Sequence, residues 1–232
     1  MPSHTLVLSE DRTLIRRHDL AWLDPARWED NLLTRLDPEL RLAVRAWFAD
    51  GYPVVARRRD KQEPEFGIAV GIPLSPQRGG QRVALCVASD AIRCVQRPPR
   101  LKTVLHAVPP TWNLPLKNFA QAIQPHVVEI RVYGSLMWQC LTREPCLHAG
   151  SDIDFLLEIN NVTALPSILR LLQRWEQEHG LQADGEVLLR DGRAVAWREL
   201  VGTHARVLVK SLASVELMSR NTVLRLLHSL HS

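Results

Sequence analysis

Two aspartates in an otherwise apolar run constrain this chain more than any other feature of its sequence. Asp152 and Asp154 open the stretch DIDFLLEI, whose following residues are typical of a strand that is covered on both faces. Side chains two apart in a strand point to the same face, so the two carboxylates would lie side by side. Two like charges in a buried strand repel each other and lose hydration, and a divalent cation would offset both costs. The pair therefore predicts a Mg²⁺ site on this strand.

A Gly-Ser step lies a short distance before these aspartates. Gly134 and Ser135 follow the strand-like run VVEIRVY and precede SLMWQCLT, which opens a helix. The N–H groups at a helix N-terminus bind phosphate, and glycine lets the backbone approach the ligand closely. Ser135 could cap the helix or donate to a phosphate, and the two roles are compatible. The order of strand, Gly-Ser, helix and Asp-x-Asp strand predicts a phosphate site beside the metal site.

A third carboxylate and a cation are expected from later strands. Asp184 and Glu186 in ADGEVLL are two apart and would share a face, so either could complete the metal site. Asp184 is preferred as the metal ligand because it lies nearer the metal edge of the strand, but the sequence does not separate the two residues, nor does it distinguish one metal ion from two. Lys210 in VLVKS could reach a phosphate from a neighbouring strand. The predicted site therefore contains Gly134, Ser135, Asp152, Asp154, Asp184, Glu186 and Lys210.

Local signals predict the other elements. DPARWEDNLL and DPELRLAVRAWFADG each begin with Asp-Pro, an N-cap followed by proline at the first helical position. LPSILRLLQRWEQEH predicts an amphipathic helix that Gly180 ends. Asp191-Gly192 predicts a hairpin turn between GEVLLR and AVAWREL, both interpreted as strands. SVELMSRNTVLRLLHSL predicts a closing helix.

A proline-rich segment predicts the division of the chain. Proline interrupts both helix and sheet hydrogen bonding, and five prolines lie between residues 97 and 115: Pro98, Pro99, Pro109, Pro110 and Pro115. The fold class expected is α+β. A smaller α+β domain is predicted over residues 1–112. A nucleotidyltransferase-type domain, with a mixed sheet flanked by helices, is predicted over residues 113–232.

Composition and charge limit the kinds of partner that this chain is expected to bind. No apolar run reaches the roughly 20 residues that span a bilayer, and the N-terminus lacks a signal-peptide pattern, so a cytoplasmic protein without a membrane partner is expected. With 29 basic and 25 acidic residues the net charge is only +4, so nucleic acid is not an expected partner. The densest basic cluster, RRRDK at residues 57–61, could meet an acidic protein.

The motifs together resemble known families. Gly-Ser, Asp-x-Asp and a third carboxylate resemble the nucleotidyltransferases of the polymerase-β type. The segments RRHDLAWL, GYPVVARRR, GIPLS, RVYGSLMWQCLTREPCLHAGSDIDFLLE and VLVKS resemble the malonate decarboxylase holo-acyl-carrier-protein synthase (phosphoribosyl-dephospho-CoA transferase) family. That resemblance implies a Mg²⁺-dependent transferase. Its donor would be triphosphoribosyl-dephospho-CoA, and its acceptor a serine of the apo acyl-carrier-protein subunit of malonate decarboxylase, with release of pyrophosphate.

Two alternatives remain open at the level of sequence. A nucleotidyltransferase acting on another small molecule or an RNA end would share the aspartates but not the N-terminal motifs. A non-catalytic regulatory protein with a decayed site would not be expected to keep both aspartates, the Gly-Ser step and a third carboxylate. The oligomeric state, the docking face for the carrier and the contacts to adenine and pantetheine are not readable from the sequence.

Overall fold

Two compact units make up the chain. The computed structural model describes residues 15–24, 26–27, 33–64 and 66–228. The first unit contains residues 1–72 and 83–97, and the second contains residues 73–82 and 98–232. Both combine helices with sheets, which confirms the predicted α+β fold in two domains. No helix within the described residues is long and apolar enough to cross a membrane.

Within the described residues, the first unit contains a five-stranded sheet and an α-helix, Pro38–Ala49. Its strands lie in the order β4-β3-β2-β1-β5, with bounds β1 (Leu20–Leu23), β2 (Val54–Ala56), β3 (Ile68–Pro73), β4 (Arg82–Val87) and β5 (Ile92–Gln96). Helix α1 (Pro38–Ala49) begins where predicted, because the Asp37 carboxylate accepts a hydrogen bond of 2.9 Å from Leu40 N. Such a cap contributes about 1 kcal/mol. The helix predicted for DPARWEDNLL lies mostly outside the described residues.

The second unit is a six-stranded mixed sheet with helices. Its order is β11-β10-β9-β8-β7-β6, and only β7 and β8 are parallel. The strands are β6 (Val127–Val132), β7 (Ile153–Ile159), β8 (Ala183–Leu188), β9 (Ala194–Ala196), β10 (Arg206–Lys210) and β11 (Val215–Ser219). The helices are α2 (Leu101–Val104), α3 (Pro110–Ile123), α4 (Gly134–Thr142), α5 (Leu165–His179), α6 (Trp197–Val201) and α7 (Arg220–His228).

The position of the hydrophobic core of the second unit determines which face of its sheet can carry a functional site. Along β7 the odd-numbered residues are buried in the hydrophobic core. Phe155 stacks on Phe119 of α3 at 5.3 Å between ring centroids, and Phe119 contacts Trp175 of α5 at 5.4 Å. Because side chains alternate along a strand, Asp152 and Asp154 lie on the opposite face from this aromatic cluster.

Three predicted features differ in the structure. AVAWREL was expected to be one strand, but β9 ends at Ala196 and helix α6 follows, with Trp197 buried and its Nε1 donating to Ala183 O at 2.8 Å. Part of the predicted closing helix is β11, because five register pairs with β10 outweigh local helical preference. The proline-rich segment, where proline was expected to interrupt helices, contains α2 and the start of α3, and the division between the compact units at residues 97 and 98 lies at its N-terminal end.

Candidate active site

Three carboxylates converge at the start of the two parallel strands. Asp154 on β7 is the register partner of Asp184 on β8, and Asp152 precedes β7 on the same face. One ligand oxygen from each of the three lies within 4.8 Å of the others. Asp152 and Asp154 are half-buried, whereas Asp184 is exposed. The parallel pairing of β7 with β8 is what brings residues 30 positions apart into one cluster.

The electrostatics of this cluster favour a cation. Burial, followed by the charges of Asp152, Asp184 and Glu186, raises the pKa of Asp154 to about 7. Burial and the charge of Asp152 also raise the pKa of Asp184. Asp154 and Asp184 are thus each easier to protonate, because they are buried and because other carboxylates are near. A divalent cation would remove that repulsion, and carboxylate oxygens are the ligands that Mg²⁺ and Ca²⁺ take. The donor set therefore fits a hard divalent cation.

Gly134, at the junction of β6 and α4, packs directly against the side chain of Asp154. The backbone at Gly134 has φ +63°, a conformation that side chains disfavour. A β-carbon added there would lie 1.8 Å from Asp154 Oδ2, so the carboxylate rests directly on the glycine. Tyr133 N also donates to Asp154 O at 3.1 Å. The end of β6 and the start of α4 are thereby held against the carboxylate cluster.

Ser135 is the second residue of α4, in the first turn whose N–H groups have no partner within the helix. Its side chain is half-buried and makes no hydrogen bond with another described residue. The helix N-cap position is Tyr133, which provides no side-chain cap. Of the two roles considered for Ser135, a hydroxyl available to a ligand fits this arrangement better than a cap does.

Glu186 and Lys210 form an ion pair beside the cluster. Glu186 on β8 is only 2% exposed, and its Oε1 accepts from Lys210 Nζ at 3.1 Å. The Lys210 side chain is about one-third exposed, and its charge opposes the rise in the pKa of Asp184. The three-carboxylate cluster contains Asp184 and not Glu186. Asp184 and Glu186, between which the sequence does not decide, therefore have different surroundings in the structure.

Several nearby residues have structural partners. Arg131 donates to Pro98 O at 2.7 Å and to Glu129 at 3.1 Å. Gln139, which sequence reasoning missed, accepts from the N–H groups of Cys146 and Leu147 and donates to Ala107 O. It thereby fixes the loop between α4 and β7. A lone glutamine inside an amphipathic helix carries no sequence signal of such a role.

Two family models together match nearly the whole chain. The model of the phosphoribosyl-dephospho-CoA transferase MdcG C-terminal domain matches residues 100–221, and that of the MdcG N-terminal domain matches residues 16–98. The chain belongs to the phosphoribosyl-dephospho-CoA transferase family. The C-terminal family domain covers every carboxylate of the cluster, together with Gly134 and Lys210.

Curated relatives agree with this family over nearly the whole chain. A phosphoribosyl-dephospho-CoA transferase of Xanthomonas euvesicatoria is 38% identical over 210 residues, covering 88% of this chain and 94% of the relative. One from Bradyrhizobium diazoefficiens is 36% identical over 205 residues, covering 88% and 90%. No solved structure gave a significant match. Membership of this family makes the chain a transferase.

Proposed function

We propose that this protein transfers the phosphoribosyl-dephospho-CoA group from triphosphoribosyl-dephospho-CoA to a serine of the apo acyl-carrier-protein subunit of malonate decarboxylase, releasing pyrophosphate. One observation carries the proposal: the convergence of Asp152, Asp154 and Asp184 beside the Gly134-Ser135 helix start, in a chain of this family. The reaction is a phosphoryl-type transfer, in which positioning and charge neutralisation supply most of the catalysis.

The bonds that change determine what the site must provide. The serine Oγ forms a bond to the α-phosphorus of the donor, and the bond from that phosphorus to the bridging oxygen of pyrophosphate breaks. The serine proton passes to a carboxylate. Asp184 is our choice for this proton acceptor, because it is exposed and belongs to the cluster, whereas Glu186 is buried and paired with Lys210. Mg²⁺, when held by Asp152, Asp154 and Asp184, would neutralise charge on the phosphate oxygens.

The remaining groups would bind the leaving end of the donor. The first-turn N–H groups of α4 and the Ser135 hydroxyl would donate to phosphate oxygens. Gly134 keeps Asp154 close to this helix terminus, so phosphate and metal ligands meet at one place. Lys210, held by Glu186, would place its ammonium group beside the pyrophosphate. Glu186 then acts as a positioning residue rather than as a metal ligand.

The N-terminal unit is proposed to contact the acceptor protein. Arg58 and Lys61 of the basic run are exposed, and no contact within the described residues occupies their side chains. Arg57 instead pairs with Glu63, and Arg59 donates to the carbonyls of residues 64 and 67. Only part of the run is therefore available to an acidic partner. The cytoplasmic location expected from the sequence belongs to the same proposal.

Intact-mass spectrometry of the acceptor tests the reaction. The apo carrier subunit is incubated with this protein, donor and MgCl₂, and a mass increase of one prosthetic group is expected, with pyrophosphate released. Asp152→Asn and Asp154→Asn should lower the rate at least roughly 100-fold, since even indirect metal-site partners contribute 10- to 100-fold. Glu158→Gln, a matched carboxylate farther along β7, should leave the rate within about threefold of the parent.

Two outcomes would overturn the proposal. One is a carrier that gains no mass with parent protein, whereas a labelled nucleoside triphosphate is transferred to another acceptor. The other is a transfer rate in Asp152→Asn and Asp154→Asn that matches the Glu158→Gln control.

A further inference from the structure

Exposed apolar side chains lie on the outer face of β10 and β11, the last two strands of the second sheet. Leu208 on β10 is 41% exposed, and Leu217 and Val215 on β11 are 48% and 37% exposed. We infer that this apolar strip, Leu208, Val215 and Leu217, is part of the surface that binds the acceptor protein. The inference rests on the proposed function, because it takes a protein with a reactive serine as the second substrate.

The strip lies on the face of its two strands that points away from the hydrophobic core. On β10 the residues on either side of Leu208, numbers 207 and 209, are buried in that core, so Leu208 points the other way. Leu208 is the register partner of Leu217, and Lys210 is the partner of Val215. Because paired residues of antiparallel strands point to the same face, the three apolar side chains and Lys210 share one face.

Lys210 connects this face with the carboxylate cluster. Its Nζ donates to Glu186 Oε1 at 3.1 Å, so Glu186 and the strip lie on the same side of the sheet. Glu186 follows Asp184 by two residues on β8, and residues two apart in a strand point to the same face. Neighbouring strands are about 4.8 Å apart, so the order β11-β10-β9-β8 places β10 about 10 Å and β11 about 14 Å from β8. The strip and Asp184 therefore belong to one continuous face.

An acceptor protein must cover this face when its serine reaches the cluster. A specific protein–protein interface covers about 800 Å² on each partner, which corresponds to a disc of about 16 Å radius. A disc of this size centred on Asp184, the proposed proton acceptor, includes both strands of the strip. Exposed apolar groups with a polar border are typical of surfaces that bind another protein.

Cations border the strip on its own strand. Arg206 and Lys210 lie two residues before and two residues after Leu208, on the same face. Arg206 is exposed, and its guanidinium donates to Leu217 O at 2.8 Å, which holds the charge beside the strip. An apolar centre with a positive border is complementary to an acceptor surface that presents an apolar side chain among carboxylates.

Two other occupants fit these observations less well. Small molecules bind in clefts that bury most of their surface, whereas Leu208 and Leu217 stand open at 41% and 48% exposure. A second copy of this chain would have to pair with β11, which is an edge strand within the described part of the chain. Glu216 is an exposed charge in the middle of this short strand, a feature that opposes pairing between sheet edges.

Transfer assays at varied carrier concentration test the inference. Leu208→Thr with Leu217→Thr removes the apolar contacts and keeps residues that favour strands, so the KM for the apo carrier should rise about tenfold or more. The Kd for inorganic triphosphate with MgCl₂, measured by titration calorimetry, should stay within about twofold of the parent. Leu114→Gln with Val128→Thr is the matched control: Leu114 lies on α3, which packs on the opposite face of the sheet, and Val128 lies near the end of β6 that is far from the cluster.

The assays separate failure of this inference from failure of the proposed function. Equal KM values for the carrier in the two double variants, while the parent transfers the prosthetic group, overturn this inference alone. An unchanged KM for the carrier with a raised KM for the donor assigns the strip to the donor instead. An unchanged KM for the carrier with loss of a parent dimer in analytical ultracentrifugation assigns it to a second copy. A parent that transfers nothing to the carrier overturns the proposed function together with this inference.

Photocrosslinking provides a second measurement that needs no loss of activity. With Leu217→p-benzoylphenylalanine, irradiation in the presence of the apo carrier should give a covalent complex of one chain with one carrier, detected by intact mass. The same substitution at Leu114 should give none, because α3 lies on the other face of the sheet. Equal crosslinking yields at the two positions would contradict the placement of the acceptor on the strip.

Discussion

The main chain of Gly134 and the carboxylate of Asp154 occupy adjoining space, such that a β-carbon at residue 134 would lie 1.8 Å from Asp154 Oδ2. This contact joins the start of α4 to the carboxylate cluster. It gives the Gly-Ser motif a second purpose besides the proposed phosphate binding, since only glycine leaves room for the Asp154 carboxylate and also adopts φ +63° there.

Gly134→Ala should therefore abolish transfer. The added methyl group must displace Asp154, and the left-handed backbone adds a penalty of about 1–2 kcal/mol. Gly180→Ala is the matched control, because Gly180 also has φ +63° but has nothing within 4 Å of an added β-carbon. Both variants should lose stability in urea unfolding because of the left-handed backbone, Gly134→Ala by more because of its clash with Asp154, and only Gly134→Ala should lose activity. Full activity in Gly134→Ala would show that the contact with Asp154 is dispensable.

The metal-free protein should become less stable as the pH rises from about 4 to 7. Over this window Asp154 is ionised in the unfolded chain but still protonated in the folded one, since its folded pKa is about 7 and its ordinary value is 3.8. The folded state thus binds more protons, and the free energy of unfolding falls with pH, by on the order of 3 kcal/mol.

Urea unfolding in EDTA across this pH range measures the effect. Asp154→Asn cannot ionise at residue 154, so it should show a flatter pH profile and be more stable than the parent at pH 8, although we expect it to lose transfer activity. Mg²⁺ should restore stability to the parent at pH 8 and have little effect on Asp154→Asn. Parallel profiles for parent and variant would contradict the assignment.

Removing Lys210 should reduce both stability and transfer. Lys210→Met leaves the buried Glu186 without its ammonium partner, and losing one member of a buried pair destabilises by roughly 3–5 kcal/mol, less here because Lys210 is partly exposed. Lys210→Met with Glu186→Gln should regain much of the stability in urea unfolding but none of the activity. Recovery of activity in the double variant would show that Lys210 serves only to neutralise Glu186.

Reversing two charges on the first unit should weaken binding of the acceptor protein and leave binding of the donor unchanged. Arg58→Glu with Lys61→Glu is expected to raise the KM for the carrier about tenfold, with a weaker dependence on salt, and to leave triphosphate binding unchanged. Arg93→Glu with Lys102→Glu, two other exposed cations, is the control of equal charge. Equal KM values for the two double variants would remove the basic run from the acceptor interface.

Much of the site could be predicted because it depends on local patterns. Alternation along β7 placed Asp152 and Asp154 on one face, and the Gly-Ser step marked the start of α4. The sequence could not decide whether Asp184 or Glu186 is the third carboxylate of the cluster, because the answer depends on which of them pairs with Lys210. Lys210 lies on β10, two strands away from β8 in the sheet. Strand β11 was missed for a related reason: its pairing with β10 is a tertiary effect that overrides a helical pattern.

The contacts of Glu144, whose carboxylate accepts from Arg78 Nε at 2.7 Å and from the Ser75 hydroxyl, could not be predicted from the sequence. Residues 75 and 78 lie more than 60 positions away, and nothing in LSPQRGGQ indicates that the segment leaves its own unit. Long-range attachments of this kind follow from the final packing and have no periodicity to reveal them.

The loop between β3 and β4, residues 73–82, limits where the chain can be divided. A fragment that begins at Pro98 would carry all three aspartates and yet lack residues 73–82, which belong to the same compact unit. A chimaera of two relatives joined at this point would combine Ser75 and Arg78 of one ancestor with Glu144 of the other. A chain divided or recombined at Pro98 is therefore expected to lose or mismatch the contacts that Glu144 makes with Ser75 and Arg78.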